Sequence, residues 1–289
     1  MFQDILVSGL VNGGVYALLA IGFSLIFGVA RIVNIAHTAF YMLASYALYG
    51  LLVKAELPIA VAIPLAIVAV VLLSLACYKL VIEPVRQHES AVLIATIALA
   101  LIFQESLLVS FGGSYLGIPA AVEGFASVLG VRVSNQRLII LAVVAATLVA
   151  TWFVLYRSRL GLAIRAAAND QEIANLMGMN VNRVAMFTVG ISVALAAIAG
   201  VVVAPVFVVD PLMWLSPLVT MLAIVVLGGL GSLKGSLIGA FIIGYVEAIT
   251  VFAVPSGAFL KGAVALTIMV IVLLIKPEGL YGVVFEEER

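Results

Sequence analysis

Long apolar runs separated by short polar interruptions fill the chain from end to end, and none alternates apolar and polar as a half-buried strand would. A helix crossing the roughly 30 Å hydrocarbon core of a bilayer takes about 20 residues. On that ruler the pattern predicts spans over residues 5–28, 37–53, 58–79, 91–111, 138–156, 184–204, 217–231, 236–254 and 260–275. The seventh is short and ends in glycines, so it reads either as a full crossing or as a re-entrant half-span, and the expected count is eight or nine. The predicted fold is all-α, a polytopic membrane bundle forming a single transmembrane domain over residues 1–289. Asp4, with no basic cluster ahead of the first run, marks that run as a span rather than a cleaved leader.

Composition excludes a water-soluble globule. Apolar residues make up 65 % of the 289 positions and charged residues 10 %, against about 45–50 % and 25 % in soluble domains. Lys+Arg and Asp+Glu number 14 each, so no basic field attracts nucleic acid. The sidedness of those charges is more informative. Arg31, Lys79, Arg86, Arg157, Arg159, Arg165, Arg183, Lys234, Lys276 and Arg289 fall in one set of connections, and Lys54, Arg132, Arg137 and Lys261 in the other. Basic residues accumulate on the cytoplasmic side, which predicts an outside N-terminus and a cytoplasmic C-terminus. The single Cys77 has no partner for an intrachain disulfide and reads as a small hydrophobe before it reads as a reactive thiol.

The longest polar stretch covers residues 157–183. Asn169 or Asp170 is placed to cap a short helix, Asp170 and Glu172 suit its first turn, and Gly178 suits its end. Ile173, Leu176 and Met177 then share one face. Such an amphipathic segment either floats at the headgroup layer or seats in a groove of a soluble partner, where Arg165 and the acids form a charged rim. The longest loop of the other side, residues 112–136, is Gly-rich and is either a connector or functional.

Polar residues inside the apolar runs are candidates for a solute path, because ionisable groups at membrane depth turn toward a cavity or a partner. Asn12, Tyr16, Asn34, His37, Gln104, Glu105 and Glu247 form this set. Glu105 and Glu247 equally suit an interfacial carboxyl or a hydrogen bond between helices, and His37 a packing hydrogen bond rather than a titrating switch. Gly228, Gly229, Gly231 and Gly235 crowd one turn, where they serve close helix packing or a flexible gate. Neither histidine has a second ligand at metal spacing. No Gly-Lys pair occurs, so there is no phosphate-binding loop, and no nucleophile elbow is present. No catalytic residues are expected.

Four patches carry a family resemblance: NGGVYALLAIGFSLIFGVARIVNIAHTAFYMLASY from Asn12, RSRLGLAIRAAANDQEIANLMGMNVNRV from Arg157, VVLGGLGSLKGSLIGAFIIGYVE ending at Glu247, and KPEGLYG from Lys276. In this order they resemble the high-affinity branched-chain amino-acid ABC permeases (LivH-type family) across essentially the whole chain. Thr38 and Glu278 depart from the family's usual Gly and Gln. The resemblance implies a second permease subunit, expected to be a paralogue, two cytoplasmic ATPases that bind ATP and Mg, and a periplasmic substrate-binding protein. It implies residence in a bacterial inner membrane, alternating access, and docking of the ATPase at residues 157–183. This chain would hold no cofactor of its own. Branched-chain amino acids are the expected solutes, with urea, short amides, other amino acids or aromatic acids as alternatives within the class. An ion-coupled secondary transporter is the rival from another class, with Glu105 and Glu247 as its coupling candidates.

Overall fold

The computed structural model describes residues 2–128 and 131–282 and is almost wholly helical. Arg289, one of the basic residues in the charge tally, lies outside the described residues. The main helices are α1 (Phe2–Ala30), α2 (His37–Tyr49), α3 (Ile59–Cys77), α4 (Glu89–Phe111), α5 (Asn135–Arg157), α6 (Arg159–Asn169), α7 (Gln171–Leu176), α8 (Val181–Val203), α9 (Leu215–Gly228), α10 (Leu233–Ala253) and α11 (Lys261–Ile275). Between α4 and α5 a small hairpin pairs β1 (Phe125–Val128) with β2 (Val131–Ser134), Phe125 opposite Ser134. The sequence pattern treated that stretch as plain loop, because four-residue strands are too short for alternation to register.

Each expected span coincides with a helix, but the lengths differ. Among the described residues seven helical stretches are long and apolar enough to cross a bilayer. Of the other two, α9 is short, whereas α2 runs on without a break through a π-helical stretch over Gly50–Lys54. The 14 residues of α9 rise only about 21 Å at 1.5 Å per residue. Both helices follow irregular chain that turns alternate residues inward: Ile32, Asn34 and Ala36 are buried before α2, and Val209 and Trp214 before α9, where Phe207, Val208 and Leu212 stay exposed. Non-helical backbone at membrane depth survives only where protein supplies its hydrogen bonds. Here the Ile35 amide donates to Thr96 Oγ1 at 3.3 Å, and Val209 exchanges backbone bonds of 2.9 and 3.0 Å with Leu116.

The same order of elements occurs twice: a long helix, an irregular segment and three further helices, as α1–α4 and again as α8–α11. Packing follows that order, since α1 lies along α10 and α8 lies along α3, the corresponding partners. Such pairs of broken helices mark the repeats of many transporters and put the solute path near the breaks.

At the centre stands α1, with 78 % of its most apolar stretch buried, while the outlying helix over Gly257–Ile275 has 6 %. Glycines set the approach of α1 to α10. A Cβ on Gly244 would come within 2.5 Å of the Gly13 backbone, and one on Gly9 would enter the Tyr245 ring. At the end of the bundle where α1 finishes, Gly228 and Gly235 bring α9 and α10 into backbone contact. The C-terminal segment folds back there, Leu280 and Tyr281 donating to the Leu227 and Gly228 carbonyls at 2.8 and 2.9 Å. The close of the KPEGLYG patch thus caps α9, whose last carbonyls would otherwise lack partners.

Replacing Gly244 by Val should lower the thermal midpoint of the purified protein, at an overpacking cost of about 1–3 kcal/mol. Gly262→Val, at a position with open space around it, is the control. Equal midpoints for the two variants in a detergent melt would contradict the close-packing account.

Candidate functional site

A cavity of about 220 Å³ opens between α1, α2, α8 and the irregular segment that leads into α9. From α1 come Val11, Asn12, Val15, Tyr16 and Leu19, and from α2 Tyr41. Val203, Phe207, Val208, Met213, Ser216 and Pro217 form the opposite wall, and Lys261, the first residue of α11, closes it. A second cavity of about 140 Å³ shares Val11, Asn12, Phe207 and Lys261 and extends to Arg137. Asn12 and Tyr16 are four apart and so lie on one face of α1. The walls are mostly apolar, with a few polar groups converging, as in small-molecule sites generally.

Tyr16 is fixed from behind. Its hydroxyl donates to Glu247 Oε2 at 2.8 Å, and Thr220 Oγ1 donates to Glu247 Oε1 at 3.4 Å. Glu247, only 1 % exposed, does not line either cavity. It joins α10 to α1 and α9 through one buried carboxyl. A buried polar group without partners costs about 1–3 kcal/mol, so this arrangement both satisfies Glu247 and orients the tyrosine.

The other polar candidates separate. His37 is buried, with Nε2 3.2 Å from the Leu19 carbonyl and Nδ1 3.4 Å from Ser192 Oγ. Ser192 also donates to the Gly22 carbonyl at 2.6 Å. Gly22 itself makes room for the ring, because a Cβ there would approach His37 Cε1 to 3.0 Å. His37 thus ties α2, α1 and α8 together away from the cavity. Asn34 is buried in the segment before α2, its Oδ1 without a partner. Gln104 accepts from Trp214 Nε1 at 2.9 Å and donates to Glu105 at 3.1 Å, which pins α4 to the turn before α9. Glu105 itself is exposed on the outer face of the bundle. Thr220 and Ser192 went unnoticed in the sequence, where Lys261 counted only among the basic residues of the connections. Single hydroxyls in apolar runs carry no signal by themselves, whereas a lysine opening a helix is a legible irregularity.

The polar stretch 157–183 forms two helices rather than one. Ser158 caps α6 by accepting from the Gly161 amide at 2.9 Å. Asp170 Oδ1 caps α7 by accepting from Ile173 at 2.9 Å, and Asn180 caps α8 by accepting from Arg183 at 3.0 Å. Asn169, the alternative cap, instead ends α6. Gly178 follows α7 with φ +82°, the left-handed stop that glycine adopts without strain. Ala174 packs inward while Glu172 and Ile173 face outward, with Leu176 and Met177 86 % and 77 % exposed. Arg165 lies half-buried over the Tyr156 ring at 4.9 Å. Two bonds fasten the α6–α7 junction to the end of α1: Gln171 Nε2 donates to the Val29 carbonyl at 2.7 Å and Arg31 to the Ala168 carbonyl at 3.1 Å. Gly229 and Gly231, both at positive φ, turn the chain between α9 and α10 beside Gly28.

Residues 5–273 match the model of the family described as branched-chain amino acid transport system / permease component. The high-affinity branched-chain amino acid transport system permease protein BraD of Pseudomonas aeruginosa is 30 % identical over 96 % of this chain and 94 % of its own. LivH of Escherichia coli, a permease protein of the same description, is 28 % identical over 97 % and 96 %. Among solved structures, PsaBC from Streptococcus pneumoniae shares the fold with a TM-score of 0.56, at 17 % identity over 96 % of this chain and 94 % of that one.

Glu247→Leu should lower the thermal midpoint, since it strands the Tyr16 and Thr220 hydroxyls at a cost of about 1–3 kcal/mol each. Glu247→Gln keeps an acceptor for Tyr16 and should fall between the leucine variant and wild type. A leucine variant as stable as wild type in a detergent melt would refute the linking role.

Proposed function

Since the chain belongs to the branched-chain amino-acid transport permease family, we propose that it is the solute-conducting subunit of an ATP-driven importer for branched-chain amino acids. It works in the inner membrane of a bacterium with a second permease subunit, a paralogue, and with a periplasmic binding protein that delivers solute. Two cytoplasmic ATPases bind ATP and Mg and supply the energy. The N-terminus faces outward. That orientation puts α6, α7, Arg31, Arg183, Lys234 and Lys276 in the cytoplasm, in keeping with the basic bias of cytoplasmic connections.

One observation carries the reading. The α6–α7 junction presents apolar side chains to water at one end of α1, and two hydrogen bonds tie it to α1, which lines the cavity nearer its other end. Leu176 and Met177 suit anchoring in a groove of the ATPase, with Arg165, Asp170 and Glu172 at the rim. Closure of the ATPases would move α7, and through Gln171 and Arg31 the end of α1. The walls of the cavity, with the short α9 and the irregular chain before it on one side, then open alternately to the two sides. Delivered solute need only differ in affinity between the two states to be carried.

Deletion of the gene should abolish uptake of labelled leucine at micromolar concentration. Unchanged uptake would move the solute to urea, amides or aromatic acids while leaving the importer class standing. Leu176→Asp with Met177→Asp should abolish co-purification of the ATPase subunits while leaving the melt of the permease unchanged. ATPases retained on the double variant would sink the docking role.

A further inference from the structure

Lys261 stands first in α11, directly after a 3-10 turn over Gly257–Leu260. The residue is half-buried, and among the described residues its ammonium takes part in no hydrogen bond or ion pair. The turn that delivers it is tightly built: Ser256 holds φ +60°, a left-handed conformation unusual outside glycine. A Cβ on Gly257 would collide with the Thr250 carbonyl. Lys261 lines both cavities, and neither lining contains an Asp or Glu. Glu247 interacts electrostatically with Lys261 but makes no direct ion pair with it, its two oxygens accepting from Tyr16 and Thr220. Beside the lysine, the Asn12 amide is likewise without a partner among the described residues. Asn12 lies ten residues into α1, about 15 Å along the axis, so these groups meet below the end of the bundle. A charge placed at such depth against an apolar wall calls for a counter-ion.

We propose that Lys261 reads a carboxylate on the transported solute. The carboxylate docks on the ammonium with the Asn12 amide donating beside it, and a compact apolar body rests against Val15, Leu19, Val203 and Phe207. The cavity therefore selects for solutes that combine one carboxylate with an aliphatic or aromatic body, and against urea and neutral amides. The inference rests on the importer reading and deepens it, because the membrane subunit then adds a choice of solute class to that of the binding protein.

The test uses the whole importer, with both permeases, ATPases and binding protein, in proteoliposomes. Lys261→Gln should cut the rate of leucine uptake at saturating binding protein at least tenfold, with the complex still assembled, and Lys261→Arg should restore it to within about threefold. Uptake by the glutamine variant at the wild-type rate overturns the inference while leaving the importer reading intact. Wild-type uptake of urea or short amides in place of any carboxylate overturns it too, again without touching the importer class. A wild-type complex that moves none of these solutes overturns both. If the glutamine variant does not assemble, Lys261→Cys in a Cys77→Ser background is modified after assembly. A reagent that adds an ammonium group should restore uptake where a neutral reagent of equal length does not. Equal restoration by both would assign the position to packing.

Discussion

Helices in lipid gain nothing by hiding apolar surface from an equally apolar solvent, so close van der Waals contact and buried polar bonds must hold them together. In this bundle the contact that everything else uses is the one between α1 and α10. Gly13 and Gly244 let the two backbones touch, and Gly9 receives the Tyr245 ring. Only at that distance can the Tyr16 hydroxyl reach Glu247 at 2.8 Å. The glycine contact and the buried carboxyl are therefore one device, in which proximity makes the polar bond possible and the polar bond fixes the register.

Around that pair the fold tolerates two interruptions that would be ruinous on its periphery. The chain before α2 and the chain before α9 leave helical geometry, and side chains or paired backbone take up the freed groups. Because the 14-residue α9 starts beside its break, it leaves space that a full-length helix would have filled. The cavity occupies that space, against α1. Its polar groups are few and each has a different history: Tyr16 is held by Glu247, whereas Asn12 and Lys261 make no hydrogen bond or ion pair among the described residues. An oriented hydroxyl beside two unpartnered groups suits transient binding, in which a solute replaces water rather than breaking internal bonds.

The central helix also connects the two ends of the molecule. Its last turn is bonded to the α6–α7 junction, and its third to fifth turns line the cavity. A buried helix that packs on both α8 and α10 does not bend easily, so a displacement at one end is transmitted as a rigid-body shift. The hydrogen bonds from Gln171 and Arg31 go to backbone carbonyls at the terminus, where no helical partner competes for them.

The sequence by itself determined where the helices lie, because span length is dictated by bilayer thickness and apolar runs of that length have no other use. It also placed the short helix near residues 170–177 and its stop at Gly178, which depend only on near neighbours, though it left the cap open between Asn169 and Asp170 and missed α6. Its family patches located the segments that matter. Orientation of the helices around their own axes was not legible: α1, α4 and α10 are apolar on every side, so no amphipathic stripe distinguishes a lipid face from a protein face. Glu105 and Glu247 looked alike for that reason, yet one points out of the bundle and the other into its centre. The fold-back of residues 276–282 onto α9 and the convergence of Asn12 and Lys261 on the same cavities are long-range matters. They were decided by which backbones could approach closely enough to pack, a property that glycines permit but that only the assembled bundle selects.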